Sequence, residues 1–163
     1  MHIQVCLNGC TSLSTMNFAD IFAYYGAAGV NRTYVGMFER MFAGCISLTE
    51  APALPALTVY ESSYAGMFAG CTSLINAPTL LGTGTANKNA YKNMFAGCTS
   101  LTGIPTILQY TILKESCYEG MFKNCTSLTN NNIFTDKSLE ISSNGLLGMF
   151  ERMYCINNNS RIL

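Results

Sequence analysis

The sequence predicts an α/β solenoid of about six turns, with one short helix and one short parallel β-strand in each 26–27-residue repeat. Three observations predict it: an octapeptide returning at a fixed interval, an apolar stripe of helical spacing beside each copy, and a leucine-led segment that follows. Met-Phe-Ala-Gly-Cys-Ile-Ser-Leu at 41–48 returns as Met-Phe-Ala-Gly-Cys-Thr-Ser-Leu at 67–74 and 94–101, and as Met-Phe-Lys-Asn-Cys-Thr-Ser-Leu at 121–128. The aligned cysteines Cys45, Cys71, Cys98 and Cys125 stand 26, 27 and 27 residues apart. A degenerate copy opens the chain at residues 8–13, and another closes it around Met149, Phe150, Met153 and Tyr154.

The helix comes first in each repeat. Tyr64, Met67, Phe68 and Cys71 stand at i, i+3, i+4 and i+7, which is one face of a helix. Tyr91, Met94, Phe95 and Cys98 repeat the spacing, as do Tyr118, Met121, Phe122 and Cys125. The first full turn is longer, from Tyr34 to Cys45. The residue before the cysteine is Gly9, Gly44, Gly70, Gly97 or Asn124. Glycine and asparagine tolerate the left-handed conformation that closes a helix C-terminus, so these positions read as caps.

The strand follows the cap. Leu48, Ala51 and Leu54 are matched by Leu74, Ala77 and Leu80, and then by Leu101, Ile104 and Ile107. Pro52, Pro78 and Pro105 fall at one register, and proline cannot donate to a sheet ladder. Strands of only two or three residues are therefore expected, followed by an irregular return. The segment from Leu81 to Lys88, which has a passing likeness to a phosphate loop but lacks its Gly-Lys-Ser/Thr ending, reads as part of that return.

With Tyr-x-x-Met-Phe-x-Gly-Cys-Thr-Ser-Leu-Thr-x-x-Pro in place, the chain resembles the BspA-like leucine-rich repeats of bacterial surface proteins, best from Tyr34 to Leu128. The resemblance implies a leucine-rich-repeat fold, adhesion or protein binding, and a cell-surface or secreted location. The N-terminus lacks the basic start and apolar core of a signal peptide. The expected organisation is one repeat domain over residues 1–163. Residues 1–33 form an imperfect N-terminal repeat and cap, 34–128 the regular repeats, and 129–163 a degenerate last repeat and C-terminal cap. The stretch from Phe18 to Val30 reads as a cover or a contact patch.

Composition narrows the function. The chain is 49% hydrophobic and only 11% charged, with 9 basic and 9 acidic residues, which argues against disorder. Zero net charge gives no reason to expect nucleic acid as partner. No apolar run is long enough for a membrane helix, so no membrane insertion is expected. A single histidine, His2, leaves no plausible set of nucleophile, base and orienting group, so no enzyme activity, metal or cofactor is expected. The four aligned cysteines read as a ladder of buried, reduced thiols, because side chains in register point in parallel, which is poor bridging geometry.

The charged side chains Glu39, Arg40, Glu61, Lys88, Lys92, Lys114, Glu115, Glu119, Lys123, Glu151 and Arg152 fall in or just before the expected helices, on a convex surface. The strand side carries small polar groups instead. Its candidate binding residues are Thr49, Glu50, Asn76, Thr102, Thr129, Asn130 and Asn132. Solenoids bind extended partners on their concave sheet. The first functional expectation is therefore a non-enzymatic interaction module taking a protein or glycan ligand on that face. The alternative is a structural component, for a surface layer or virion, whose copies join through the solenoid ends as a homo-oligomer.

Overall fold

The structure, a computed structural model, describes residues 7–14, 32–54, 56–80, 82–103, 109–128 and 140–141. It corrects the expected α/β solenoid with a helix in each repeat: among the described residues there is no helix. The segments read as helical, 34–45, 64–71, 91–98 and 118–125, are ribbons of consecutive tight turns.

The hydrogen bonds show how the ribbon is made. Every second N–H closes a turn within the repeat, as in Met67 to Tyr64, Ala69 to Gly66 and Cys71 to Phe68, at 3.0–3.2 Å. The alternate N–H groups leave the repeat altogether. Tyr64, Gly66, Phe68 and Gly70 donate to the carbonyls of Ala90, Lys92, Met94 and Ala96 in the next repeat, at 2.8–3.0 Å. An α-helix would need both sets to reach back four residues along its own backbone.

A left-handed residue recurs every four positions. These are Gly36, Arg40 and Gly44, then Ser62, Gly66 and Gly70, then Asn89, Asn93 and Gly97, then Ser116, Gly120 and Asn124, with φ between 53° and 77°. Turns closed by an i to i+3 bond with positive φ at the third residue have the type II signature. Two or three such residues per segment exclude a right-handed helix, in which every φ is negative. The glycine and asparagine before each cysteine do adopt the left-handed conformation, but they close a turn rather than cap a helix. Gly44, Gly70 and Gly97 also stack directly, each with the preceding glycine's backbone (Gly9, Gly44 and Gly70) 3.7–3.8 Å from where its own Cβ would stand.

The ribbon still turns the expected stripe inward. Its pattern repeats every four residues, so i and i+4 lie on one side and i+3 and i+7 lie beside them, as on a helix. Tyr64, Met67, Phe68 and Cys71 are all buried, and so are their equivalents in the next two repeats. Stacked repeats then align these side chains into columns. Phe42, Phe68, Phe95 and Phe122 stack with ring centroids 5.4–5.6 Å apart and planes within 11° of parallel. Phe38, Tyr64, Tyr91 and Tyr118 form a second stack at 5.4–5.7 Å. Leu48, Leu74, Leu101 and Leu128 complete the core, which runs as one cluster through the described repeats.

The strands also lie elsewhere than expected. After the cysteine, pairing is limited to single parallel bridges: Glu50 with Asn76, Asn76 with Gly103, and Leu54 with Leu80. Pro52 and Pro78, which cannot donate, flank these bridges and keep them from extending. The longer pairing is in the return segment read as irregular. There β1 (Thr83–Ala86), β2 (Gln109–Leu113) and β3 (Glu140–Ile141) form a parallel sheet in the order β1-β2-β3, with an irregularity between Gly84 and Thr85. The failed phosphate-loop match at 81–88 thus contains a strand.

Charges sit on the outer edge of the ribbon and pair between repeats. Lys88 meets Glu115 at 3.0 Å and Lys92 meets Glu119 at 3.1 Å, each pair one repeat apart. Both pairs are open to solvent, so they help to set which residues stack more than they stabilise the chain. Of the expected caps at 1–33 and 129–163, residues 7–14, 32–33 and 140–141 are described; the rest, with the Phe18–Val30 stretch, lies outside the described residues.

Candidate interaction surface

The segment after each cysteine carries the exposed face of interest. Ser14, Thr49, Ile75 and Thr102 form one column. The Thr49 N–H donates to Ser14 at 3.2 Å, Ile75 to Thr49 at 3.3 Å and Thr102 to Ile75 at 2.9 Å. Glu50, Asn76 and Gly103 form the next column through their bridges. Of the sequence-predicted binding residues, Glu50, Asn76 and Thr102 are exposed and Thr49 is half-buried, all on this face. Thr129, Asn130 and Asn132 lie outside the described residues.

The Thr49 and Thr102 hydroxyls point back along the stack, 3.4 Å from the Ser14 and Ile75 carbonyls. A hydroxyl that donates inward in this way keeps its acceptor lone pairs for a ligand. Asn76 reaches over Gly103, where an added Cβ would stand 2.9 Å from its Oδ1. Glycine at 103 therefore leaves room for the Asn76 amide to lie across the face. Glu50 supplies the one charge among these residues.

Sequence reasoning missed two parts of this surface. A parallel column of Thr11, Ile46, Thr72, Thr99 and Thr126 is exposed beside it, and its signal was the recurring threonine in Gly-Cys-Thr-Ser-Leu. Ile46 and Ile75 are 46% and 47% exposed, which puts apolar area into an otherwise hydroxyl-rich face. Nothing in the periodicity marks them, since each replaces a threonine at its column.

Behind the face run the cysteines. Cys45, Cys71, Cys98 and Cys125 are buried and donate their thiols to the carbonyls of Leu7, Phe42, Phe68 and Phe95 at 3.0–3.1 Å. Burial raises the Cys71 and Cys125 thiols to about 12 and raises Cys98 as well. Cys117 lies outside this column among the tyrosines, where burial likewise pushes it up to about 12. A thiol held this strongly protonated is neither nucleophile nor ready metal ligand at neutral pH. Among the described residues, no three of His, Cys, Asp and Glu gather as metal ligands. Burial also raises the hydroxyls of Tyr64, Tyr91, Tyr110 and Tyr118, and Tyr91 and Tyr110 share a hydrogen bond in the core.

Comparison with protein families, curated proteins and solved structures finds no match to this chain.

Proposed function

We propose that the chain is a non-enzymatic interaction module that recognises a protein or a glycan through the face formed by Thr49, Glu50, Asn76 and Thr102. The single observation that carries this reading is the register. The residues that the sequence singles out from separate repeats stand on adjoining columns, held by the backbone ladder and by the Glu50–Asn76–Gly103 bridges. A rigid row of hydroxyl and amide groups loses little conformational entropy when a ligand binds. With few charges, recognition rests on hydrogen bonds and shape, and electrostatic steering contributes little. The resemblance to BspA-like repeats supports an adhesion-type role on a cell surface or in a secreted protein.

The test compares the wild type with an Asn76→Arg/Thr102→Arg variant on immobilised glycans and extracellular matrix proteins. Both positions are exposed, so the variant is expected to melt with the wild type and to lose its binding. Binding retained by a folded variant would contradict the proposed face.

A further inference from the structure

The backbone of the candidate face is closed to a partner. Its N–H groups run along the stack: Thr49, Ile75 and Thr102 donate to the carbonyls of Ser14, Thr49 and Ile75, and Ser100 donates to Thr72. Ala77 donates the other way, to Gly103. An extended peptide binds by adding a strand to a sheet edge, where unpaired N–H and C=O groups stand in a row. These amides are already engaged between repeats, so the columns offer no such row. A ligand on this face is therefore read by side chains.

The side chains are biased towards accepting. The hydroxyls of Thr49, Thr99 and Thr102 lie 3.4–3.5 Å from a carbonyl of the preceding repeat, which turns their protons inward and their lone pairs outward. The Glu50 carboxylate only accepts. Ile46 and Ile75, each nearly half exposed, interrupt the hydroxyls with apolar area. Among the described residues, no lysine or arginine stands in the columns of residues 46, 49 and 50, whereas Lys88 and Lys92 are paired on the outer edge of the ribbon. Arginine and lysine are the groups that hold carboxylate and phosphate, so the face does not suit an anionic ligand.

We infer that the ligand class of this face is a neutral polysaccharide lying along the stack, an inference that rests on the reading of the face given above. A sugar hydroxyl donates to a threonine oxygen, and its free rotation lets it meet an acceptor from several directions. The C–H faces of the sugar rings cover Ile46 and Ile75. Equivalent groups recur at the spacing of neighbouring strands, about 4.8 Å, close to the advance of one unit in an extended β-linked chain. A polymer laid along the columns meets similar groups at successive units, so its affinity grows with length. A peptide backbone brings one carbonyl acceptor for every N–H donor, which suits an acceptor-rich face less well.

Affinity electrophoresis tests this, with the whole chain run through gels that contain β-glucan, xyloglucan or galactomannan, which are neutral, or polygalacturonate or heparin, which are anionic. At least one neutral polymer is expected to retard the chain, and neither anionic polymer is. Oligosaccharides of the retarding polymer should bind about tenfold more tightly as they lengthen from a dimer to a hexamer. The Asn76→Arg/Thr102→Arg variant should lose the retardation. Ile75→Thr, a milder change at an exposed position, should weaken it about fivefold by removing apolar contact. Melting temperatures equal to the wild type's identify the folded variants. If no neutral polymer retards the chain but gelatin does, and the folded double variant loses the gelatin, the glycan class is overturned and the face stands. Retardation by the anionic polymers alone, or by none of the polymers, would also overturn the inference, and affinity independent of length would overturn the alignment along the stack. Retardation unchanged in both folded variants would overturn this inference and the face together.

Discussion

At the scale of the residue, small side chains decide where the chain can go. Gly82 has no positive φ, but a Cβ there would run into the Tyr110 hydroxyl, which lies over its backbone and bonds Tyr91. Gly82→Ala should destabilise the chain by about 1–3 kcal/mol through overpacking. Tyr110→Leu in the same chain removes both the hydroxyl and the ring carbon that the Cβ would meet and should recover part of that loss, as urea titrations of the four cycle members would show. Additive losses would mean that the contact with Tyr110 is not the reason for glycine. Gly66 and Gly70 are needed for a different reason: their φ of 60° and 76° belongs to the left-handed region, whatever the space around them. This distinction was half legible in the sequence. The glycine or asparagine before each cysteine announced positive φ, but the second such residue four places earlier, Gly66, Asn93 or Gly120, was passed over. That pair is what separates a turn ribbon from a helix.

At the scale of the element, the inward stripe was legible and the backbone beneath it was not. Tyr64, Met67, Phe68 and Cys71 are core in the structure, as their spacing required, because a four-residue ribbon and a 3.6-residue helix place the same positions inward over so short a span. Strand positions failed for a related reason. Leucine spacing reports burial, but prolines 52 and 78 deny the leucine segment a ladder, and pairing shifts to Thr83–Ala86 and Gln109–Leu113. The cysteine column was readable from register alone, and it sets how the fold responds to pH. Cys71, Cys98, Cys117 and Cys125 hold their protons more tightly when folded than an exposed thiol does. Their contribution is complete below the unfolded pKa, near 9, and is lost as pH rises towards about 12. The urea midpoint should therefore stay level with respect to these groups from pH 6 to 8 and fall steeply above 9. A midpoint that holds through pH 11 would show that the thiols are not buried as described.

At the scale of the whole molecule, stability and shape come from the contacts between repeats. The junction between the repeats of Phe42 and Phe68 combines the ribbon hydrogen bonds, two aromatic contacts, a thiol bond and a glycine-on-glycine layer. No repeat could form its ribbon alone, since half of the N–H groups would lack acceptors, and this couples folding to stacking. The candidate face was legible because the aligned turns differ there in side chains but not in position.

The central claim is that alternate N–H groups of the ribbon bond to the next repeat. Scalar couplings across hydrogen bonds in isotopically labelled protein test it directly. The account predicts couplings from the amide nitrogens of Gly44, Phe68 and Gly70 to the carbonyl carbons of Ala69, Met94 and Ala96. Couplings from the same nitrogens to carbonyls four residues earlier in their own repeat would restore the helix and contradict it.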